Sequence, residues 1–169
     1  KEKDYEILYL TDYVYEFTLQ MLQKYEEKTF ANISSENVDV DSKEEKEELE
    51  KINDENKDMF DLMKNTLYIK GVRFTKKLKN HPVCLTSEGN VSVEMEKVIN
   101  AMPTDERITA EKVIEINENH PVAKKLQNLY KKDNDELRKY TKILYAQARL
   151  IEGLPIDNPT EISNIVFER

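Results

Sequence analysis

Val113-Ile114-Glu115-Ile116-Asn117-Glu118-Asn119-His120-Pro121-Val122 changes its hydrophobic pattern in mid-stretch. Its first part is an apolar run interrupted only by Glu115, the signature of a strand. Asn119-His120-Pro121 then holds the chain extended, because the residue before a proline is biased away from the helical region. Pro121 sits at a helix start, where its missing N–H costs nothing, and Val122, Lys125, Leu126 and Leu129 follow. A strand delivered straight into a helix marks a fold that mixes both elements.

The same reading extends in both directions. Upstream, Val72, Phe74 and Leu78 roughly alternate with Arg73, Lys76, Lys77 and Lys79, as in a half-buried strand. Val83-Cys84-Leu85-Thr86 is a second strand, and Ser87-Glu88-Gly89-Asn90 turns the chain into a helix over residues 91–102 that Pro103 stops. Downstream, the longest helix covers residues 135–152 and is closed by Gly153 and Pro155; Pro159 opens a last one. The expected fold class is α+β, a small mixed sheet with packed helices and a helical C-terminal end.

The first third differs. Ile7-Leu8-Tyr9-Leu10 reads as a buried strand, and Val14, Phe17, Thr18, Met21 and Tyr25 form the stripe of a helix behind it. Such a fragment cannot fold alone, and with no initiator Met before Lys1 it reads as the end of a preceding domain. Residues 34–42 are polar and aperiodic, a linker. Ser42 can cap a charged helix that turns amphipathic through Leu49, Ile52, Met59, Phe60, Met63 and Leu67. The expected division is residues 1–33, then 34–48 as linker and start of the charged helix, then 49–169.

Composition narrows the chemistry. The 169 residues are 38% hydrophobic and 36% charged, with a net charge of −8. An acidic chain repels phosphate backbones, so nucleic acid is not an expected partner, and no apolar run approaches the length that spans a bilayer. The three glycines argue against a Gly-rich phosphate loop. No nucleophile elbow or metalloprotease motif is present. Cys84 and His81 point to opposite faces of an extended strand, which disfavours a nucleophilic pair; as the single cysteine, Cys84 can form no intrachain disulfide, which suits a reducing cytoplasm. Both histidines, His81 and His120, stand in Asn-His-Pro turns and lack further ligands at metal-binding spacing. The expectation is therefore no catalytic, cofactor or metal residue, and a chain that is not itself an enzyme.

Two helices carry more. Val91, Met95, Val98 and Met102, bordered by Ile99, form a narrow stripe that suits either a core face or an adaptable, Met-bearing binding face. On residues 135–152, Leu137, Tyr140, Thr141, Leu144, Ala148 and Ile151 share one face, while Ile143, Ala146 and Leu150 lie on another. A terminal helix apolar on two sides must bury both, within its own chain or against a second copy.

The order and spacing of Glu6-Ile7-Leu8-Tyr9-Leu10-Thr11-Asp12, Thr75-Lys76-Lys77-Leu78, Pro82-Val83-Cys84-Leu85, the passage through His120-Pro121, Tyr145-Ala146-Gln147-Ala148 and Ile156-Asp157-Asn158-Pro159 resemble the end of the HtpG-type ninety-kilodalton heat-shock chaperones of bacteria. The resemblance implies an ATP-driven, cytoplasmic chaperone that acts on unfolded or partly folded client proteins. ATP and Mg would be bound upstream, with no cofactor in this chain. Residues 1–33 would close the middle domain and 49–169 would form the C-terminal dimerisation domain, whose last two long helices make a four-helix bundle in the homodimer. The dimer contact then falls on Leu137, Tyr140, Thr141, Leu144, Ala148, Ile151, Ile162, Ile165 and Val166. Client contact falls on Val91, Met95, Val98, Ile99 and Met102, and on Phe17 and Gln20 of the early helix; Phe17 stands where the family often has Trp. The chain closes on Val166-Phe167-Glu168-Arg169 without the acidic tail of eukaryotic relatives, which favours the bacterial branch. The rival reading is a plain acidic oligomerisation scaffold with no client surface.

Overall fold

The computed structural model describes residues 6–12, 14–31, 43–89, 91–103 and 107–168. In chain order they form α1 (Val14–Leu22), β1 (Lys24–Tyr25), β2 (Lys28–Thr29), α2 (Lys43–Glu55), α3 (Lys57–Leu67), β3 (Gly71–Thr75), β4 (Val83–Glu88), α4 (Val93–Ala101), β5 (Glu111–Asn117), α5 (Pro121–Lys132), α6 (Asn134–Ile151) and α7 (Pro159–Phe167). The class is α+β.

The strand of the deciding passage, β5, is the middle of a three-stranded sheet ordered β3-β5-β4. It runs parallel to β3 and antiparallel to β4. Register pairs Val72 with Ile114 and Phe74 with Ile116 on one side, and Leu85 with Ile114 and Val83 with Ile116 on the other. Directly paired residues share a face, so these six make one apolar surface. It joins Met59, Phe60 and Met63 of α3, Leu126 of α5, and Leu137, Leu144 and Ala148 of α6 in a single core. Phe60 meets Phe74 edge to face, ring centres 4.9 Å apart.

The opposite face is polar yet covered. Arg73 and Cys84 flank Glu115 across the sheet. Arg73 donates from Nε (3.0 Å) and from a terminal nitrogen (2.6 Å) to Glu115 Oε1, and Glu115 is only 2% exposed. The β3 edge is closed by a side chain: Asn53 of α2 accepts from the Phe74 N–H (2.8 Å) and donates to the Phe74 carbonyl (3.3 Å). One amide thus does what a neighbouring strand would do for an exposed edge.

Three sequence expectations are corrected. Ile7-Leu8-Tyr9-Leu10 is exposed and forms no strand, because no strand partner lies beside it among the described residues. The first helix stops at Leu22; Gln23 takes a left-handed φ of 58°, and Tyr25 enters the β1–β2 hairpin through Glu26 at φ 55°. The single helix expected through Leu67 is two, α2 and α3. Between them Asn56 donates from its side chain to the Ile52 carbonyl (2.8 Å) and from its backbone to the Asn53 carbonyl (3.2 Å), which interrupts the regular ladder. The linker stretch 34–42 and the capping Ser42 lie outside the described residues.

Candidate partner-contact surfaces

The helix α4 is built from Ser92, whose hydroxyl accepts from the Met95 N–H at 3.0 Å and caps the start. Its one fully buried side chain is Val93, 2% exposed, which is not part of the expected stripe. Polar anchors hold the rest. Glu96 accepts from the Ala110 N–H (2.6 Å) and from Lys112 Nζ (2.6 and 2.8 Å) at the start of β5. Asn100 exchanges two bonds with the Ile108 backbone, at 2.9 and 3.0 Å. Lys97 donates to the main-chain oxygen of Glu152 at the end of α6. With α4 held this way, Val91, Met95, Val98 and Ile99 stay half-buried, and Met102, just past the helix, is exposed. The stripe is therefore neither core nor fully open.

The early helix meets this surface. Gln20 is exposed on α1, and its amide nitrogen lies 3.3 Å from the sulfur of Met95. Phe17 is half-buried, and no residue of α1 is fully buried. The structure thus brings Gln20 and Met95 together from segments 75 positions apart.

The terminal helices divide the other expected surface. Leu137, Thr141, Leu144 and Ala148 are covered inside the chain's own core. Tyr140 is half-buried under Lys125, whose Nζ lies 4.3 Å from the ring centre, and Ile165 is buried. The inward stripe of α6 is therefore occupied by its own domain. What stays open is Leu150 and Ile151 at the end of α6, with Val166 and Phe167 at the end of α7; Phe167 is 84% exposed. Ile162 lies between, half-buried. Leu150 and Phe167 were not singled out for this surface from sequence. The signal was there for Leu150, on the second apolar face of α6.

The corner between α6 and α7 is firmly made. Gly153 adopts φ 68°, the left-handed cap expected of it. Leu154 returns to the core, and its N–H reaches the Arg149 carbonyl at 2.8 Å. Arg149, nearly buried, donates to the Pro155 carbonyl (2.8 Å) and pairs with Asp157.

The remaining chemistry-bearing residues have structural neighbours. Cys84 is half-buried with its sulfur 3.9 Å from Glu115 Oε2; burial first, and Glu115 next, push its thiol up to about 12. His120 Nδ1 accepts from the Val122 N–H at 3.2 Å and caps α5, while the His81 carbonyl accepts from Asn117 at 3.1 Å. In the basic cluster, Arg73 pairs with Glu115 and Glu88, Lys76 with Glu48 and Glu118, and Lys70 with Glu111. Among the described residues no helix is long and apolar enough to cross a membrane.

A mixed sheet is thus roofed by α3, α5 and α6, with the polar-anchored α4 reaching the end of α6 through Lys97 and the α6–α7 pair left apolar at its exposed ends. The family model described as Hsp90 protein matches residues 1–169. The chain is 47% identical over 165 residues to the chaperone protein HtpG of Bacillus subtilis, a match covering 96% of this chain and 26% of that protein. It is 48% identical over 170 residues to HtpG of Clostridium acetobutylicum (98% of this chain, 27% of that one), and 48% identical over 165 residues to HtpG of Clostridium botulinum (96% and 26%). The chain belongs to the Hsp90 family, and it spans about a quarter of the length of the curated relatives it matches.

This membership corrects the expectation that the chain is not to be classed as an enzyme, which rested on ATP hydrolysis belonging to a part of the protein upstream of it. Hsp90 chaperones of the HtpG kind are ATPases, and a match over 26% of such a protein gives no ground for classing it as a non-enzyme.

Proposed function

We propose that this chain is the C-terminal part of an ATP-dependent, cytoplasmic molecular chaperone, and that it holds two copies together while offering α4 to non-native proteins. Residues 1–33 would close the middle domain, and 49–169 would be the dimerisation domain. ATP and Mg would bind in the part of the protein upstream of this chain.

The observation that carries the dimer is the exposed apolar end of the helix pair. Leu150, Ile151, Val166 and Phe167 stay open although the inward stripe of α6 is already filled. A second copy presenting the same residues around a twofold axis would cover them, as a self-complementary interface requires. This moves the expected contact from Leu137, Thr141, Leu144 and Ala148 to the outer side and far ends of α6 and α7, with Ile151, Ile162 and Val166 retained. Pairing would raise the concentration of the upstream domains for one another.

For client contact the support is the half-open stripe of α4 with Gln20 beside it. Such a surface, thioether-bearing and only partly desolvated, suits weak and loosely specific apolar binding. Sedimentation of the chain across concentrations tests the reading. Concentration-dependent dimers, weakened in a Leu150→Asp, Phe167→Asp variant that keeps its thermal midpoint, are expected. A strict monomer at high micromolar concentration would overturn it.

A further inference from the structure

The helix α4 is held to the rest of the chain by polar ties more than by apolar packing. Among the described residues its backbone comes near the other helices and strands only at isolated points. It buries one side chain fully, Val93. A helix ordinarily docks by a broad apolar face, yet here the stripe of Val91, Met95, Val98 and Ile99 is left half-buried. The most heavily bonded tie is Glu96. Its Oε1 and Oε2 accept from Lys112 Nζ at 2.8 and 2.6 Å, and Oε2 also takes the Ala110 N–H at 2.6 Å. Both ends are largely shut away from water: the Lys112 side chain is 8% exposed and that of Glu96 13%.

We propose that Glu96 and Lys112 form a latch that regulates the client surface. Closed, it seats α4 on the start of β5 with the stripe half covered; open, it lets α4 lift and present the whole stripe. This rests on the reading of α4 as the helix that meets non-native proteins. Glu96 and Lys112 are positioning residues and touch no client themselves. A buried ion pair holds only while both partners are present, because either charge left alone in the interior is strongly unfavourable. Lifting α4 returns both charges to water. The apolar cost is small, since Val93 is the one fully buried side chain of α4 to leave the core. The other ties, Asn100 on the Ile108 backbone and Lys97 on the Glu152 main-chain oxygen, exchange for bonds to water at modest net cost. A client selecting the lifted form has its apparent affinity reduced by the fraction lifted, so the latch sets how tightly the stripe binds.

The test compares the 169-residue chain with Glu96→Gln, with Lys112→Met and with the two combined. Each single substitution strands one buried charge; the combination leaves none and keeps an acceptor for the Ala110 N–H. Hydrogen exchange of the α4 amides should quicken about tenfold or more in either single form and return towards the native rate in the combined one. Binding of reduced, carboxymethylated α-lactalbumin, a chain that cannot fold, should tighten several-fold in the single forms and fall back in the combination. The urea midpoint, set by the sheet core, should change little. Glu96→Asp, which keeps the charge and shortens the reach, replaces Glu96→Gln if that form fails to fold. A pair with a merely structural role behaves oppositely, with stability and client binding lost together. Unchanged α4 exchange in the single forms, or faster exchange with weaker binding, overturns the latch. Faster exchange with unaltered binding supports the latch and overturns instead the reading of α4 as the client surface.

Discussion

The side-chain amide of Gln20 lies 3.3 Å from the sulfur of Met95, a contact between α1 and α4 across the stretch that contains the charged helices. A sulfur is a weak acceptor, so this contact orients the two helices and adds little stability. Replacing Met95 and Val98 with Asp should lower binding of a non-native protein at least tenfold while costing about 1 kcal/mol or less, since both positions are half-exposed. Denaturant unfolding beside a client-binding assay reads the two effects. A collapse of stability would make these residues core.

Leu137 gives the contrasting case. It is wholly buried between α6 and the sheet core. Leu137→Ala should cost about 2–5 kcal/mol by urea unfolding, with dimer affinity altered only through the fold.

Asn53 is predicted to matter more than its polarity suggests. Asn53→Ala would leave the Phe74 N–H and carbonyl without their partners at 2.8 and 3.3 Å. The expected loss is about 1–3 kcal/mol, and faster hydrogen exchange at Phe74 should accompany it.

Tyr68 closes α3 in the left-handed region at φ 54°, with its N–H on the Lys64 carbonyl, and is 95% exposed. A tyrosine there bears the Cβ clash that glycine avoids. Tyr68→Gly should therefore stabilise the chain, by about 1 kcal/mol, as a raised thermal midpoint. An unchanged or lowered midpoint would mean that the ring packs in solution.

Cys84 should resist alkylation. With its thiol raised from an ordinary 9.0 to about 12, the folded chain keeps the proton that the unfolded chain loses. Stability should accordingly fall as pH rises from about 9 towards about 12, less so in Cys84→Ala. Thiol-reagent kinetics at pH about 8 should show slow labelling that unfolding accelerates.

Much of the fold was readable where local chemistry and burial agree. Gly153, Pro155 and Pro159 placed the α6–α7 corner, and the Asn119-His120-Pro121 passage placed β5 and α5 within a residue or two. Local chemistry misled where the deciding partner is remote. Ile7-Leu8-Tyr9-Leu10 has strand composition, but a strand also needs a neighbour. The two apolar sides of α6 were visible, yet periodicity cannot say which side its own domain claims; that choice rests on α3 and β4, far away in sequence. Val93, which anchors α4, sits off the Met-bearing stripe, and its burial in the common core is set by residues remote in sequence. The salt link of Glu96 to Lys112 and the hydrogen bond from Lys97 to the Glu152 main-chain oxygen were equally invisible, because charged residues on an amphipathic helix ordinarily face water.

The central place of β5 also sets a timetable for synthesis. Strands β3 and β4 have no hydrogen bonds to each other in the sheet and both wait for residues 111–117. While the ribosome makes residues 89–110, Val72, Phe74, Val83 and Leu85 have no middle strand to join. The nascent chain is thus most prone to sticking just before the stretch from Val113 to Ile116 emerges, and a pause in translation there would prolong the hazard.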